Sequence, residues 1–360
     1  MQKNKKVRVS ILIPCLNERQ TILECIAVAN RAGILMKLPY EVVVADSGST
    51  DGTRRLLKSQ KIARVVDVPV KGYGAALHWG ILSSRGDYIF FADADLSYDF
   101  LEIKKFLKYI RWGYDLVLGT RLGGVIKPGA MPFLNQYFGT PALTFLIRLI
   151  YKLETTDCNS GMRLINRRFY KKLHMRNAGM EWASELILKT ALVKGNYAEV
   201  PISFYKDRRN RKPHLVRWSD GWRHLKAIIL IKPEFLCLLS FLFLGLGGFL
   251  IGRYVSISFF FLLIGSTLGL SFLAAKLLNF VIDGKKNLLI SKMESIPFVQ
   301  LGIIFTLFVI FSLFYFPDKE YLPEKLVIIS VAMIYNIWLF LVETIKTHLI
   351  NPLPESVLGK

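Results

Sequence analysis

Two aspartates, Asp93 and Asp95, end the hydrophobic run YIFFADAD at residues 88–95, which has the character of a β-strand. Ligands of open α/β sheets bind just outside the carboxyl ends of the strands, so both carboxylates are expected at such a place. Carboxylate oxygens there suit a hard divalent cation such as Mg²⁺ or Mn²⁺. The structural alternative is that Asp95 or Asp99 caps the helix that follows. Because two aspartates alone are a weak motif, the neighbouring motifs decide between these interpretations.

Another carboxylate, Asp46, ends a second strand-like run and begins the segment DSGSTDG at residues 46–52. A carboxylate at a strand end can accept a hydrogen bond from the N–H of a nucleobase, and the glycine and serine residues permit a tight turn. The structural alternative is an ordinary turn into a helix that Ser49 or Asp51 caps.

A lysine–glycine segment, KGYG at residues 71–74, opens a further helix-like stretch. Gly72 and Gly74 predict that backbone N–H groups at this helix N-terminus approach a diphosphate, with Lys71 beside them. The spacing of two glycines is a weak signal alone, and it gains weight only from the carboxylates around it.

The elements that must position these residues alternate along the first part of the chain. Strand patterns lie at residues 9–14, 41–46, 64–68, 88–93 and 115–118, and helical patterns at residues 18–31 and 100–111, with further helices opened by residues 49–52 and 71–76. Strands alternating with helices predict an α/β fold with a doubly wound, mostly parallel sheet. We expect this domain to cover residues 1–218.

The rest of the chain predicts an all-helical membrane domain. Residues 219–233 (SDGWRHLKAIILIKP) are typical of an interfacial amphipathic helix, and residues 133–153 fit either core or a segment on the membrane surface. Four apolar runs follow in residues 234–346, at 235–252, 255–278, 297–316 and 326–342, each near the length that a bilayer core demands. These form two hairpins, and residues 347–360 form a tail.

The charge is strongly positive, at +21, and residues 1–234 hold 39 Lys and Arg against 20 Asp and Glu. Nucleic acid is one possible partner for this balance, and an anionic membrane with a polyphosphate substrate is another. The apolar runs favour the bilayer, so we expect no nucleic acid partner. Lys and Arg before the first run and between the second and third predict that both termini face the cytoplasm, as in an integral inner membrane protein.

The four cysteines show no zinc-site or disulfide spacing, and the N-terminus lacks the apolar core of a signal peptide. We therefore expect reduced, structural thiols in a cytoplasmic domain.

Taken together, the motifs resemble glycosyltransferase family 2. ILIPCLNE, VVVADSGSTDGT, the lysine–glycine segment and FADADL occur in that family's order, and the match covers most of residues 9–232. GTRLGG, DCNSGMRLINRR, GMEWASEL, PISFY and DGWRHLK more narrowly resemble bacterial polyprenyl-phosphate sugar synthases, relatives of dolichyl-phosphate mannose synthase. After PISFY, these relatives commonly have a short Gly/Ser–Lys stretch, whereas this chain has DRRNRKPHL at residues 207–215.

The resemblance implies a GT-A-like, nucleotide-sugar-binding sheet and a role for each motif residue. Catalysis is assigned to Asp95, Arg121 and Arg163, and the metal, Mg²⁺ or Mn²⁺, to Asp95 and Asp93. The donor is assigned to Pro14, Asn17, Glu18, Asp46, Ser47, Gly48, Lys71, Gly74, Asp93 and Ala94. The acceptor phosphate is assigned to Arg121, Ser160, Arg163 and Arg211, with Asp157, Glu181 and Glu185 supporting them. For Arg121 and Arg163 a partly buried ion pair is the structural alternative.

The expected reaction transfers a hexose from a nucleotide sugar, of the UDP-glucose or GDP-mannose class, to polyprenyl phosphate with inversion at the cytoplasmic membrane face. A phosphate monoester is already anionic near neutral pH, so it needs cations to bind it rather than a strong base. One alternative is a transferase that extends a lipid-linked glycan through a hydroxyl, with Glu181 or Glu185 as the base. Another is a non-catalytic membrane scaffold. The sequence is compatible with a homo-oligomer.

Overall fold

The structure, a computed structural model, describes residues 6–209, 217–232, 234–250 and 264–265. Two compact units divide the chain: residues 1–228 with 353–360, and residues 229–352. Each is described by itself.

The first unit contains seven strands and most of the described helices. The strands are β1 Val9–Cys15, β2 Tyr40–Asp46, β3 Arg64–Asp67, β4 Tyr88–Phe91, β5 Leu116–Ile126, β6 Arg163–Asn166 and β7 Tyr197–Phe204. The helices are α1 Ile22–Met36, α2 Thr53–Gln60, α3 Tyr73–Ser83, α4 Leu107–Arg111, α5 Thr140–Tyr151, α6 Arg167–Lys172 and α7 Trp182–Leu192. A further helix, α8 Arg217–Ile231, begins in this unit and ends three residues past its boundary at residue 228. A 3₁₀ helix at Phe100–Lys105 precedes α4, and a π-helical turn at Asn135–Gly139 precedes α5.

The seven strands form one sheet in the order β3-β2-β1-β4-β6-β5-β7. β1 pairs in parallel with both β2 and β4, and β5 pairs in parallel with β7. β6 runs antiparallel to both neighbours, because Arg163 lies opposite Phe91 of β4 and Leu118 of β5. The expected doubly wound, mostly parallel sheet is therefore present, with one reversed strand that makes it mixed.

The core lies along the central strands, since every residue of β1 and β4 is buried. Such continuous apolar runs are expected of strands that are covered on both faces. The buried hydroxyl of Ser10 is satisfied by Glu41 and by the N–H of Gly86. The central strands are thus held rigidly, and the loops at their carboxyl ends start from fixed points.

Two helices of the structure differ in detail from the sequence prediction. The first begins at Ile22 rather than at residue 18, because Asn17 adopts a left-handed φ of 58° and the Glu18 carbonyl accepts from Thr21 and Ile22 in a turn. The stretch predicted as one helix at 100–111 is a 3₁₀ helix followed by α4. Asp99 caps it by accepting from the N–H of Leu101 at 2.9 Å, as the structural alternative expected.

In the second unit the described residues form helix α9, Glu234–Leu250. Within the described ranges no single helix is both long enough and apolar enough to cross a bilayer, and Gly221–Ile229 with Glu234–Leu246 meet that test only as a pair. The predicted runs at 255–278, 297–316 and 326–342 and the tail at 347–360 lie outside the described residues, apart from residues 264–265.

Candidate active site

The loops after β1 and β2 are joined into one rim of the sheet. The Asn17 side-chain oxygen accepts from the N–H of Thr50 at 2.7 Å, and the Asn17 N–H donates to the Ser49 hydroxyl at 2.8 Å. The N–H of Ser47 donates back to the Cys15 carbonyl at 3.0 Å. Pro14 lies opposite Ala45 in the strand register. The donor residues expected from the two motifs are therefore brought together.

Asp46 is buried at the end of β2 and shapes the turn that follows. Its carboxylate accepts from the backbone N–H of Ser49 at 3.3 Å and from the Ser49 hydroxyl. A turn follows, as the structural alternative predicted, but the N-cap of α2 is Gly52 and makes no side-chain cap bond, so neither Ser49 nor Asp51 is the cap. Gly48 has a φ of 92°, and the Lys71 side chain passes close to it, with Cε 3.8 Å from where a Cβ of Gly48 would lie. The structure thus places Lys71 beside the Asp46 loop.

Asp93 lies two residues beyond β4, in contact with elements from distant parts of the chain. The Tyr73 hydroxyl, at the start of α3, donates to Oδ1 of Asp93 at 2.9 Å. Gly161 lies on the other side, and a Cβ there would stand 2.6 Å from Oδ2 of Asp93, so only glycine fits. Burial, followed by the charge of Asp95, raises the pKa of Asp93 to about 6.

Asp95 is buried in a strained turn. Its Oδ1 accepts from the N–H of Ser97 at 3.0 Å and from the Ser97 hydroxyl at 2.6 Å, while Leu96 between them has a φ of 63°. Its Oδ2 forms an ion pair with Nη2 of Arg209 at 2.7 Å. The buried Ala94 carbonyl accepts from the Cys25 thiol at 3.1 Å. A non-glycine residue in the left-handed region is costly, which is a feature of functional turns.

Arg209 connects this turn to two other carboxylates, Glu18 at 3.3 Å and Asp207 at 3.1 Å. Glu18, a predicted donor residue, therefore lies in the same cluster as Asp95. Arg211, predicted to bind the acceptor phosphate, lies outside the described residues.

Arg121 and Asp157 form a buried, bidentate ion pair. Nε and Nη2 of Arg121 contact the two oxygens of Asp157 at 2.7 and 2.8 Å, and the Arg121 N–H adds a third bond at 3.0 Å. Burial opposes ionisation of Asp157, but Arg121 outweighs it and holds the pKa of Asp157 below its usual value. The guanidinium stacks 5.1 Å from the Phe204 ring. Asp157 thus orients Arg121, and the contact is the ion pair that the structural alternative predicted. Phosphate binding by Arg121 stays a prediction.

The surroundings of Arg163 differ from those expected of a phosphate-binding residue. Its guanidinium is buried and donates to three backbone carbonyls, those of Ser160 at 2.9 Å, Ala183 at 2.7 Å and Cys158 at 3.0 Å. Burial lowers the pKa of Arg163. These bonds tie β6 to α7 and correct the expected geometry: Arg163 braces the interior instead of extending into a phosphate site. The hydroxyl of Ser160 is buried without a partner among the described residues.

The two glutamates have different surroundings. Glu185 accepts from the backbone N–H groups of Arg176 and Asn177, both at 2.8 Å, and pairs with Lys189 at 2.7 Å. It therefore holds a loop rather than an arginine guanidinium. Glu181 is the N-cap residue of α7 but makes no side-chain cap bond, and its buried Oε2 has no hydrogen-bond partner within the described residues.

The glycines before α3 also differ from expectation. Gly72 has a φ of 146°, and a Cβ there would lie 2.2 Å from the Ala178 carbonyl. The N–H of Gly74 donates to Gly179 at 3.2 Å and that of Ala75 donates to Ala178 at 2.9 Å. These N–H groups already donate to backbone carbonyls of the protein. The glycines therefore let two loops pack together, and Gly74 does not offer its N–H to a diphosphate.

Asp93 and Asp95 supply the oxygen donors that Mg²⁺ or Mn²⁺ prefers, and a guanidinium already stands against Asp95 as a positive charge. Across the described ranges no three His, Cys, Asp or Glu side chains converge into a ready-made metal site. A cation held by one or two carboxylates and by substrate phosphates is a usual arrangement for Mg²⁺. The residues present fit a metal that arrives with a nucleotide.

Residues 10–174 match the family described as Glycosyl transferase family 2. With the sheet order and the strand-end carboxylates described above, this match means that the chain contains a glycosyltransferase family 2 domain.

Among its relatives are the low-salt glycan biosynthesis hexosyltransferase Agl6 of Haloferax volcanii and the dolichol-phosphate mannosyltransferase of Pyrococcus furiosus. The first is 37% identical over 229 residues, which are 63% of this chain and 54% of Agl6, so the chain spans about half the length of that relative. The second is 27% identical over 258 residues, 69% of this chain and 71% of that protein. A solved structure of glucosyl-3-phosphoglycerate synthase from Mycobacterium tuberculosis, with Mn²⁺ and UDP, has a TM-score of 0.48 and 21% identity, covering 62% of this chain and 79% of that one.

Two residues at the site are absent from the sequence-based assignment. Tyr73 lies between the two glycines and was not assigned, although its hydroxyl contacts Asp93. Arg209 belongs to a basic segment from which sequence reasoning selected Arg211. Clustered arginines carry no local signal that tells which one folds back onto a carboxylate 114 positions earlier.

Proposed function

We propose that this protein transfers a hexose from a nucleotide sugar to polyprenyl phosphate at the cytoplasmic face of a membrane. The observation that carries the proposal is that Asp93 and Arg121 lie near each other at the same end of the sheet. Asp93 follows β4 and Arg121 lies within β5, and both strands pair with β6. Asp93 is two residues after Phe91 and Arg121 three after Leu118, and Phe91 and Leu118 both lie opposite Arg163. A carboxylate suited to a donor metal therefore neighbours an arginine suited to an acceptor phosphate.

The acceptor class follows from the electrostatics of this edge. Arg121 is oriented by Asp157 and keeps its Nη1 out of that ion pair. A planar guanidinium fixed in this way is well matched to phosphate oxygens. A phosphate acceptor carries its own nucleophilic oxygen, so the site needs no strong general base.

In the proposed reaction a phosphate oxygen of the lipid attacks the anomeric carbon as the bond from that carbon to the nucleoside diphosphate breaks. The configuration inverts because attack and departure take place on opposite faces. Asp46 and Asn17 would hold the nucleotide, and Arg121 would dock the acceptor. Asp93 and Asp95 would hold Mg²⁺ or Mn²⁺, which when bound neutralises the departing diphosphate.

The membrane part of the proposal is supported by an apolar surface on the first unit. Phe133, Leu134, Tyr137, Phe138 and Phe145 are all more than half exposed. No Asp or Glu occurs from residue 122 to residue 153, whereas three Lys and Arg do. Exposed aromatic side chains without nearby negative charge suit the headgroup region of an anionic membrane. Localisation in the inner membrane by four spans, with both termini cytoplasmic, belongs to the same proposal.

The test is a transfer assay on the full chain in lipid nanodiscs, with undecaprenyl phosphate, Mg²⁺ or Mn²⁺, and labelled UDP- and GDP-sugars. We expect a lipid-extractable, acid-labile product that disappears with EDTA and falls by about 100-fold or more in Asp95→Asn. An absence of product from every donor would refute the polyprenyl-phosphate acceptor.

A second candidate is transfer to a hydroxyl of a lipid-linked glycan, and Glu181 is the observation that favours it. Its buried carboxylate oxygen has no partner among the residues that the structure describes, and such a group can act as a base. If Glu181→Gln abolishes transfer to a glycan hydroxyl while polyprenyl phosphate yields no product, this candidate replaces the first.

A further inference from the structure

Arg209 occupies the position where a cation would be needed. Its guanidinium lies 2.7 Å from Asp95, 3.1 Å from Asp207 and 3.3 Å from Glu18, and its side chain is only 15% exposed. Since Asp95 is the carboxylate assigned to the donor metal, the arginine and the metal require the same place.

The competition concerns a single oxygen. Oδ1 of Asp95 is engaged by the N–H and the hydroxyl of Ser97, and Oδ2 is engaged by Arg209. A divalent cation that binds Asp95 through Oδ2 therefore competes with the guanidinium for that oxygen. The competition is strong because the repulsion between two positive groups is large in a buried site.

The guanidinium of Arg209 is itself incompletely satisfied. Its terminal nitrogens contact Glu18, Asp95 and Asp207, whereas its Nε is buried without an acceptor among the described residues. A divalent cation carries twice the charge of the guanidinium, so it can replace Arg209 beside Asp95.

The backbone need not move for this exchange. The N–H of Tyr205 donates to the Ser97 carbonyl at 2.9 Å, and the N–H of Arg208 donates to the Asp95 carbonyl at 3.1 Å. These two bonds keep the segment beside the site while the Arg209 side chain swings away. Arg208 itself points elsewhere and pairs with Glu24 at 2.8 Å on the surface.

We propose that Arg209 is a positioning residue that competes with the donor's divalent cation for Asp95 and thereby makes metal binding depend on the nucleotide. The inference rests on the proposed function, which supplies the metal and the diphosphate. A diphosphate adds oxygen ligands for the metal and offers the released guanidinium a new anionic partner. Neither exists when the metal arrives alone, so metal alone binds weakly to the wild-type protein.

The test measures Mn²⁺ affinity directly, by electron paramagnetic resonance on the full chain in nanodiscs, with no nucleotide, with UDP and with GDP. In Arg209→Gln we expect Mn²⁺ alone to bind about 10-fold more tightly than in the wild type, and the enhancement by nucleotide to shrink by a similar factor. Arg208→Gln is the matched control, and its Mn²⁺ affinity should equal that of the wild type.

Two further variants keep the result decisive. Arg209→Lys retains a cation and should stay closer to the wild type than Arg209→Gln does. Asp95→Asn combined with Arg209→Gln should lose the tight Mn²⁺ site. Unchanged or weaker Mn²⁺ binding in Arg209→Gln, or tight binding that survives the loss of Asp95, would overturn the proposal. Because no sugar transfer is measured, these outcomes are independent of whether polyprenyl phosphate is the acceptor.

Discussion

At the scale of single residues, two buried arginines with similar sequence surroundings have different environments. Arg121 pairs with a carboxylate, whereas within the described part of the chain Arg163 donates only to backbone carbonyls. The motifs that contain them could be found from sequence, because each is local. The partner of Arg163 could not, since Ala183 lies 20 positions away, and Asp157, 36 positions from Arg121, was expected to support the arginines only through the family resemblance. Burial and pairing over such separations depend on the folded sheet.

The Arg121–Asp157 pair leads to a stability prediction. Asp157→Asn leaves the guanidinium buried without its counter-charge, so the free energy of unfolding should fall by about 3 kcal/mol. Asp87→Asn is the control, because Asp87 pairs with Arg8 at an exposed position and should cost less than about 1 kcal/mol. Thermal and denaturant unfolding of the full chain measure both. Equal losses in the two variants would contradict a buried role for Asp157.

At the scale of elements, sequence patterns located β1 to β4 closely, because buried strands read as short apolar runs between turn residues. The reversed strand β6 was not predicted. It has only four residues, Arg163–Asn166, and the basic residues that follow it hide its apolar pattern. The helix expected at residues 18–31 was found four residues later, because a strained Asn17 delays its start.

The π-helical turn and α5 carry the exposed aromatic face, and we predict that this face contacts lipid. Phe138→Asp should lower transfer to long-chain polyprenyl phosphate about 10-fold, as removal of one aromatic ring from the interface costs roughly 1.5 kcal/mol. Transfer to a short, water-soluble prenyl phosphate should change little.

Trp112→Asp is the matched control for that variant, since Trp112 is 62% exposed, as Phe138 is, but lies beyond α4. An equal loss with both acceptors in Phe138→Asp would indicate damage to the fold rather than to membrane contact.

At the scale of the whole molecule, the net charge of +21 predicts a preference for anionic lipid. Transfer activity should be several-fold higher in nanodiscs that contain phosphatidylglycerol than in purely zwitterionic ones. Raising the ionic strength from about 0.1 M to about 1 M shortens the Debye length from about 10 Å to about 3 Å, so the difference should shrink. Activity that is insensitive to lipid charge at low salt would contradict the prediction.

Buried histidines predict the response of the first unit to acid. Burial lowers the pKa of His78 to about 4 from its ordinary 6.5, and its Nδ1 lies 2.7 Å from the Tyr170 hydroxyl. The unfolded chain therefore binds the proton more readily, so this contribution to stability is complete above pH 6.5 and is lost as the pH falls towards 4. Asp93, with its raised pKa, acts in the opposite direction below pH 6 and offsets part of the loss.

His78→Asn should flatten the decline of the melting temperature between about pH 6.5 and pH 4.5, because Asn does not titrate there. His174→Asn is the control, since His174 is exposed, and it should follow the wild-type curve. If His78→Asn declined as steeply as the wild type, the histidine would not be the group that responds to acid.

The reversed strand β6 has a consequence for how such a protein can diversify. Because β6 is antiparallel to β4 and β5, the chain leaves the sheet after β5 and re-enters at β6 on the same edge, next to Asp93. Residues 127–162 thus form a connecting segment whose two ends both lie at the end of the sheet next to Asp93. Evolution can lengthen, shorten or exchange this segment without disturbing the Asp46 loops on the far side of β1. The same half of the sheet, with its Asp46 loops, can thereby be combined with segments that suit many different sugar acceptors.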